Sequence, residues 1–249
     1  MNFALTVIIP AYNEMENFQA CKLNQITDYL TQKKLPWEII VIDDGSTDGS
    51  NLLIKNWVLG KPGWRFIQNH HQGKAATIQT GISLAKNKFT LFTDFDQATP
   101  ISEVEKLLPF IKKNYPIVIG SREIKGALRQ KEPSYRHLMG KVFNFLVQLV
   151  AVRGIHDTQC GFKIFNTKIA QQLFRSLKVY RPKPEKYAFT GAFDVELLFI
   201  ANKQRIKIAE VPISWSHEAT TRVNPWRDSI RMFWHVLKIR LTDLAGGYR

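Results

Sequence analysis

An α/β architecture, with a mostly parallel central sheet flanked by helices, follows from three features of the chain. Short apolar runs alternate with longer helical patterns through the first half, which is how βαβ units read in sequence. The runs are apolar at successive positions, as in Ile39-Ile40-Val41-Ile42, which marks strands covered on both faces. Polar clusters follow these runs directly, where open α/β sheets place their ligand loops.

In chain order, the Val/Ile/Phe-rich runs predict strands at 5–9, 38–42, 65–69, 89–93 and 117–120. Helical periodicity predicts helices at 17–32, 50–59, 74–85 and 102–113, with Pro36, Gly60-Lys61-Pro62-Gly63 and Pro116 as breakers between elements. In the second half, 135–152 reads as a helix whose thin polar stripe is Lys141, Asn144 and Gln148. A Gly-containing polar loop at 154–166 leads into a strand, followed by a helix at 193–202 and a strand at 206–215. A long amphipathic helix at 224–244 closes the chain.

A chain of 249 residues can bury one substantial core, and its 45% apolar and 22% charged content is ordinary. The formal charge of +14 is not ordinary and calls for an anionic partner: nucleic acid, a membrane surface or a phosphorylated substrate. Cys21 and Cys160 make neither a disulfide framework nor a zinc pattern, so a reducing, cytoplasmic setting is expected. Residues 1–10 lack the basic region and cleavage site of a signal peptide. The longest uncharged apolar run, 142–152, falls short of the ~20 residues that cross a bilayer. No transmembrane segment is expected, and any membrane association would be peripheral.

Five loops then gather on one sheet edge: Pro10-Ala11-Tyr12-Asn13-Glu14, Asp43-Asp44-Gly45-Ser46-Thr47-Asp48-Gly49, His70-His71-Gln72-Gly73-Lys74, Asp94-Phe95-Asp96 and Ser121-Arg122. Asp94 and Asp96 suit magnesium or manganese, which take oxygen ligands from one or two carboxylates plus substrate phosphates. Asp43 can accept from a ribose hydroxyl or a pyrimidine N–H, while Ser46 or Thr47 can cap the next helix. No Gly-x-Gly-x-x-Gly follows the first strand, so a nicotinamide cofactor is not expected. His70, His71 and His156 show no metal-ligand spacing.

Val7-Ile8-Ile9-Pro10-Ala11-Tyr12-Asn13-Glu14, Asp43 to Gly49 and Thr93-Asp94-Phe95-Asp96, in that order, resemble family-2 glycosyltransferases of GT-A (Rossmann-like) fold. Gly120-Ser121-Arg122, Asp157-Thr158-Gln159-Cys160-Gly161-Phe162-Lys163 and Phe193-Asp194-Val195-Glu196-Leu197-Leu198 resemble the polyprenyl/dolichyl-phosphate hexosyltransferase branch, its glucosyl-transferring members above all. The resemblance spans nearly the whole chain. It implies a nucleotide-sugar donor, UDP-glucose or GDP-mannose, with Pro10, Tyr12, Glu14 and Asp43 on base and ribose. Asp44, Lys74 and Phe95 complete the expected substrate-binding set, and Asp94 and Asp96 would hold the diphosphate through Mg2+ or Mn2+. Ala98 stands where some relatives place a metal-binding Gln, so Gln97 or water would take that role. Many relatives also carry membrane anchors or spans that this sequence does not show.

A polyprenyl phosphate acceptor is already anionic, so it needs countercharge more than a general base. Two phosphates ~4 Å apart repel by ~4 kcal/mol per charge pair at an effective dielectric of 20. Arg122, Arg136 and Arg222 are the candidates for offsetting this, because the guanidinium fork matches phosphate oxygens. Asp157 and Asp194, with Arg122, are the catalytic candidates. The two acids would orient the acceptor or act as a base, or else cap a turn and pair with a cation.

Two helices bear on the membrane. In the first, Leu138, Val142, Phe145, Leu146 and Leu149 form an apolar face that Phe143, Val147 and Val150 widen. In the second, Ile230, Phe233, Trp234, Leu237, Leu241 and Leu244 oppose Arg227, Arg231, His235 and Lys238, as in helices that lie on an anionic membrane surface. Core packing is the other reading of both faces. The expected organisation is one GT-A catalytic domain over 1–249: a nucleotide-sugar-binding half at 1–122, an acceptor-binding half at 123–223 and a basic amphipathic helix at 224–249. The expected function is inverting hexosyl transfer to polyprenyl phosphate at the inner face of a membrane. Transfer to a polysaccharide or protein, and a basic nucleic-acid-binding protein, are the rivals. Clustered acids at the strand ends and the lack of a nucleic-acid motif count against the last.

Overall fold

The computed structural model describes residues 4–33, 36–130, 134–182, 191–218 and 225–248, excluding the side chains of 134–136, 138 and 225–228. The chain runs β1 (Leu5–Ala11), α1 (Met15–Gln19), α2 (Lys22–Lys33), β2 (Trp37–Asp43), α3 (Ser50–Val58), β3 (Trp64–Gln68), α4 (Lys74–Leu84) and β4 (Phe89–Phe92). A 3-10 turn at Ile101–Glu103 leads into α5 (Val104–Lys112), then β5 (Ile117–Ser121), β6 (Leu128–Gln130), α6 (Ser134–Val150), β7 (Lys163–Asn166) and α7 (Thr167–Ser176). The last elements are α8 (Phe193–Lys203), β8 (Ile208–Pro212), β9 (Ser214–Ser216) and α9 (Pro225–Leu244).

Among the described residues one sheet of seven strands takes the order β3-β2-β1-β4-β7-β5-β8. Its neighbours are parallel except at β7, which runs antiparallel to both β4 and β5. Helices cover both faces. On one face Ile8, Ile40, Ile42 and Phe92 pack with α4, α6, α7, α8 and α9. On the other Leu5, Val7, Ile9, Ile39, Val41 and Leu91 meet α2, α3 and α5. Both faces of each central strand are thus apolar, as the unbroken Val/Ile runs required. Helix α4 sits close on the sheet because Gly81 has no side chain. A Cβ there would stand 2.7 Å from Ile8 Cγ2.

The reversal at β7 matters most for the site. Register pairs Phe92 with Lys163, so the start of β7 lies beside the end of β4. The 157–162 segment therefore reaches the same sheet edge as Asp94. A polar loop leading into a strand was expected here, but not the direction of that strand.

Three other elements differ from expectation. The helix expected at 17–32 is two, broken where Cys21 takes a φ of 55°. The strand expected at 206–215 divides at Ile213, and β9 leaves the main sheet to pair with β6. Helix α7 was not anticipated, although Asn166 caps it by accepting from the N–H groups of Lys168 and Ile169.

The choice between core and outward packing for α6 and α9 resolves as both, on opposite stripes. In α9 Val236 and Ile239 are buried, with Met232 packed beside them, while Ile230, Trp234, Leu241 and Leu244 face outward, Trp234 at 63% exposure. At about 3.6 residues per turn these sets fall on opposite sides of the helix. In α6, which packs on α9, Phe143 and Val147 are buried while Val142, Phe145 and Leu149 are exposed, Phe145 at 66%.

Candidate active site

The loops after β1, β2 and β3 are laced together before any ligand is considered. Asn13, at a φ of 53°, donates its N–H to Ser46 Oγ at 2.8 Å, and its side-chain oxygen accepts from Thr47 N–H at 2.8 Å. Asp43 is completely buried and accepts from Gly45 N–H at 3.0 Å, Ser46 N–H at 3.1 Å and the Ser46 hydroxyl at 2.5 Å. Asp44 accepts from Gln72 N–H at 3.0 Å and Gly73 N–H at 2.9 Å, and pairs with His71 Nδ1 at 2.8 Å. Both acids, expected at the substrate, are committed here to shaping their loops.

His71 stacks on Tyr12 with ring centroids 4.2 Å apart and planes 12° from parallel. Its Nε2 is buried without a hydrogen-bond partner. Pro10 and Tyr12 are half-buried, and Glu14 is buried, with Asn17 donating to its carboxylate at 2.6 Å.

The acidic pair occupies the end of β4. Lys74, the first residue of α4, reaches Asp94 Oδ1 at 2.5 Å. Burial would lower the Lys74 pKa, but the charges of Asp94 and Asp194 hold it above the usual ammonium value. From behind, Asp94 rests on Gly161, where a Cβ would stand 2.0 Å from Asp94 Oδ2. Asp96 accepts from Ala98 N–H at 2.9 Å. Burial and the neighbouring Asp94 charge push the Asp96 carboxyl up to about 6. An acid whose ionisation is opposed by burial and a neighbouring carboxylate is what a cation relieves.

Among the described residues no three His, Cys, Asp or Glu side chains converge to cage a metal unaided. Two carboxylates suit Mg2+ or Mn2+ nonetheless, because such ions commonly complete their shell with water and phosphate oxygens. Gln97 folds back to donate to Asp94 O at 2.7 Å, and its own side-chain oxygen is buried without a partner. Phe95 corrects an expectation: its ring is 1% exposed in the core beneath the loop and is not placed to meet a substrate. The turn after β4 carries it inward while its neighbours Asp94 and Asp96 are half-exposed.

The 157–163 segment forms the second wall. Asp157 is completely buried, and Glu210 accepts its backbone N–H at 2.8 Å. Arg122 donates to it three times: from its backbone N–H at 2.9 Å, Nε at 2.7 Å and Nη2 at 2.9 Å. The guanidinium also lies 5.3 Å from the Trp215 ring centroid. Burial alone would raise the Asp157 pKa, but the Arg122 charge and hydrogen bonds overcome it and hold the carboxyl at about 2.

Asp194, at the start of α8, is buried against Lys163 Nζ at 2.6 Å. Here burial prevails, and its pKa is raised despite Lys163. Lys163 is itself buried, donates to Cys160 O, and lies 5.1 Å from the Phe92 ring centroid. Both catalytic candidates thus form buried ion pairs. Gly161, Lys163 and His71 carry site geometry that no single-residue reading assigned to them, although all three stand in quoted motifs. The side chain of Arg136 and the whole of Arg222 lie outside the described residues.

With this geometry in view, the comparisons with known proteins are specific. The family model described as Glycosyl transferase family 2 matches residues 6–174. A dolichyl-phosphate beta-glucosyltransferase of Dictyostelium discoideum is 34% identical over 98% of this chain and 76% of its own length. Among solved structures, mannosyl-3-phosphoglycerate synthase from Rubrobacter xylanophilus superposes with a TM-score of 0.66 at 17% identity, covering 98% of this chain and 75% of its own. Glucosyl-3-phosphoglycerate synthase from Mycobacterium tuberculosis, solved in complex with Mn2+, UDP and product, has a TM-score of 0.63 at 16% identity, covering 96% and 80%. At those identities the structures establish the fold, and it is the mostly parallel α/β sheet expected from the sequence.

The Arg122–Asp157 pair yields a pH prediction. A depressed carboxyl pKa adds stability above its unfolded value of 3.8 and loses it as the folded group protonates near 2. The wild-type protein should lose about 2 kcal/mol through this group as pH falls across that window. Asp157→Asn should lower stability at neutral pH by ~3 kcal/mol, since Arg122 then lacks its partner, and should flatten the acid limb. Urea denaturation between pH 7 and pH 2 checks both. A variant with wild-type stability and the same acid limb contradicts the assignment.

Proposed function

The chain belongs to glycosyl transferase family 2, and on that footing we propose that it transfers a hexose from a nucleotide sugar to a polyprenyl or dolichyl phosphate with inversion. Glucose from UDP-glucose is the favoured pair, supported by the name of the Dictyostelium relative and by its near-complete coverage of this chain. The observation that carries the reading is the convergence of Asp94, Asp96 and Lys74 on one sheet edge, against the segment whose Asp157 pairs with Arg122.

In the proposed reaction an acceptor phosphate oxygen forms a bond to the anomeric carbon while the bond from that carbon to the nucleotide diphosphate breaks. The acceptor is ionised at neutral pH, so no residue need remove a proton. Asp94 and Asp96 would hold Mg2+ or Mn2+, which when bound supplies positive charge to the leaving diphosphate. Lys74 adds a second cation on the donor side. Tyr12, stacked on His71, offers an aromatic face beside the base and ribose loops. Asp157 is assigned a positioning role: it orients Arg122 and fixes its charge near the acceptor, rather than meeting substrate. Asp194 does the same for Lys163.

The lipid acceptor fits the outward stripes of α6 and α9. No helix among the described residues is long and apolar enough to cross a membrane. Helix α9 spans 20 residues and presents Ile230, Trp234, Leu241 and Leu244 over about 21 Å of its length. Lys141 and Lys238 are exposed on the same two helices. Basic, aromatic-bearing helices of this kind lie in the interface of anionic membranes. We assign the +14 charge to that surface, at the cytosolic face, rather than to nucleic acid.

Two measurements test the proposal. Incubation with labelled UDP-glucose, Mn2+ and dolichyl phosphate should give a labelled product that extracts into organic solvent and releases glucose on mild acid treatment. Turnover of GDP-mannose in place of UDP-glucose would reassign the sugar, and no product from either would remove the reading. Separately, the protein should sediment with phosphatidylglycerol vesicles at low salt, and Trp234→Glu with Leu241→Glu should reduce the bound fraction severalfold without changing the melting temperature. Equal recruitment of that variant would remove the α9 surface from the account.

A further inference from the structure

Asp94 is held from two sides, and the two contacts differ in kind. The wall at Gly161 is part of the packed segment entering β7 and cannot withdraw without moving backbone. The contact at the front is the Lys74 ammonium, 2.5 Å from Oδ1, on a flexible four-carbon stem that can swing. Lys74 is brought there by Gly73, whose φ of 85° turns the chain into α4 while its N–H is held by Asp44.

Asp94 and Asp96 with Lys74 leave this edge net negative. A divalent cation arriving alone would make it net positive with an ammonium still beside it. A cation arriving with a diphosphate would not, because the phosphates take up the excess. Resting on the metal reading of Asp94 and Asp96, we propose that Lys74 is an exchangeable counter-ion. It neutralises Asp94 while no donor is bound, competes there with the divalent cation, and transfers to the donor diphosphate when cation and nucleotide enter together. The consequence is ordered loading: the metal enters with its nucleotide and is not retained after the nucleotide leaves.

The test is Mn2+ binding, read from the loss of the free-ion paramagnetic resonance signal, with and without UDP. Wild-type protein should bind Mn2+ weakly alone and much more tightly with UDP. Lys74→Gln, and Lys74→Met as an uncharged variant that keeps the stem, should bind Mn2+ alone roughly tenfold more tightly than wild type. The enhancement by UDP should shrink, whereas Lys74→Arg should behave as wild type. Unchanged or weaker binding of Mn2+ alone in both uncharged variants overturns the exchange while leaving the metal assignment standing. Wild-type protein that binds no Mn2+ even with UDP overturns the metal assignment, and the exchange with it.

Discussion

The site depends on the contact between the Asp94 carboxylate and the bare Cα of Gly161. It joins the end of β4 to the segment that enters β7, two pieces of chain far apart in sequence. They meet because, among the described strands of the main sheet, β7 alone runs antiparallel, which returns the 157–162 segment to the ligand edge. With that wall in place Asp94 faces forward, and Lys74 and Asp96 are arranged about it. A side chain at 161 would have to displace the carboxylate, since there is no room for both.

Around this contact the charges are sorted by burial. Asp157 and Asp194 are both enclosed and paired, yet their proton affinities move in opposite directions. Asp157 faces the fork of Arg122 and a backbone N–H, enough to overcome desolvation. Asp194 has one hydrogen-bonded ammonium, Lys163, and the more distant charge of Lys74, which together do not overcome it. Neither is exposed enough to meet a substrate as a base. An anionic acceptor makes this arrangement workable, since the enclosed pairs then serve to fix cations in place. In the proposed reaction the half-exposed acids, Asp94 and Asp96, are the ones left to meet the donor.

Much of this was legible in the sequence, and the limits have physical reasons. The five ligand-edge strands were readable because buried parallel strands leave uninterrupted Val/Ile runs. Asp94 and Asp96 were placed at a strand end by their position after an apolar run, and both are half-exposed just beyond β4. Asp43, Asp44 and Phe95 were assigned to substrate on the same grounds, yet Asp43 and Asp44 hold loops and Phe95 fills core. One-dimensional spacing cannot distinguish an acid that faces a ligand from one that accepts from its own turn. Gly161 and Lys163 were visible only as parts of a motif, because their roles arise from the direction of β7. Helix α9 was read as core or membrane, and the structure uses opposite stripes for core and for the outward face.

The two ends of the proposed reaction are thereby divided between the halves of the chain. The donor edge is built from β1, β2 and β4 with α4, while the outward apolar stripes belong to α6 and α9. The most direct test of the donor edge is anomalous diffraction at the manganese edge from crystals grown with UDP and Mn2+. The account predicts one manganese peak at Asp94 and Asp96 in crystals that also hold UDP on this edge, with Lys74 moved from Asp94 to the phosphates. A peak elsewhere, or UDP bound on this edge with Lys74 still on Asp94 and no manganese between the acids, would contradict it.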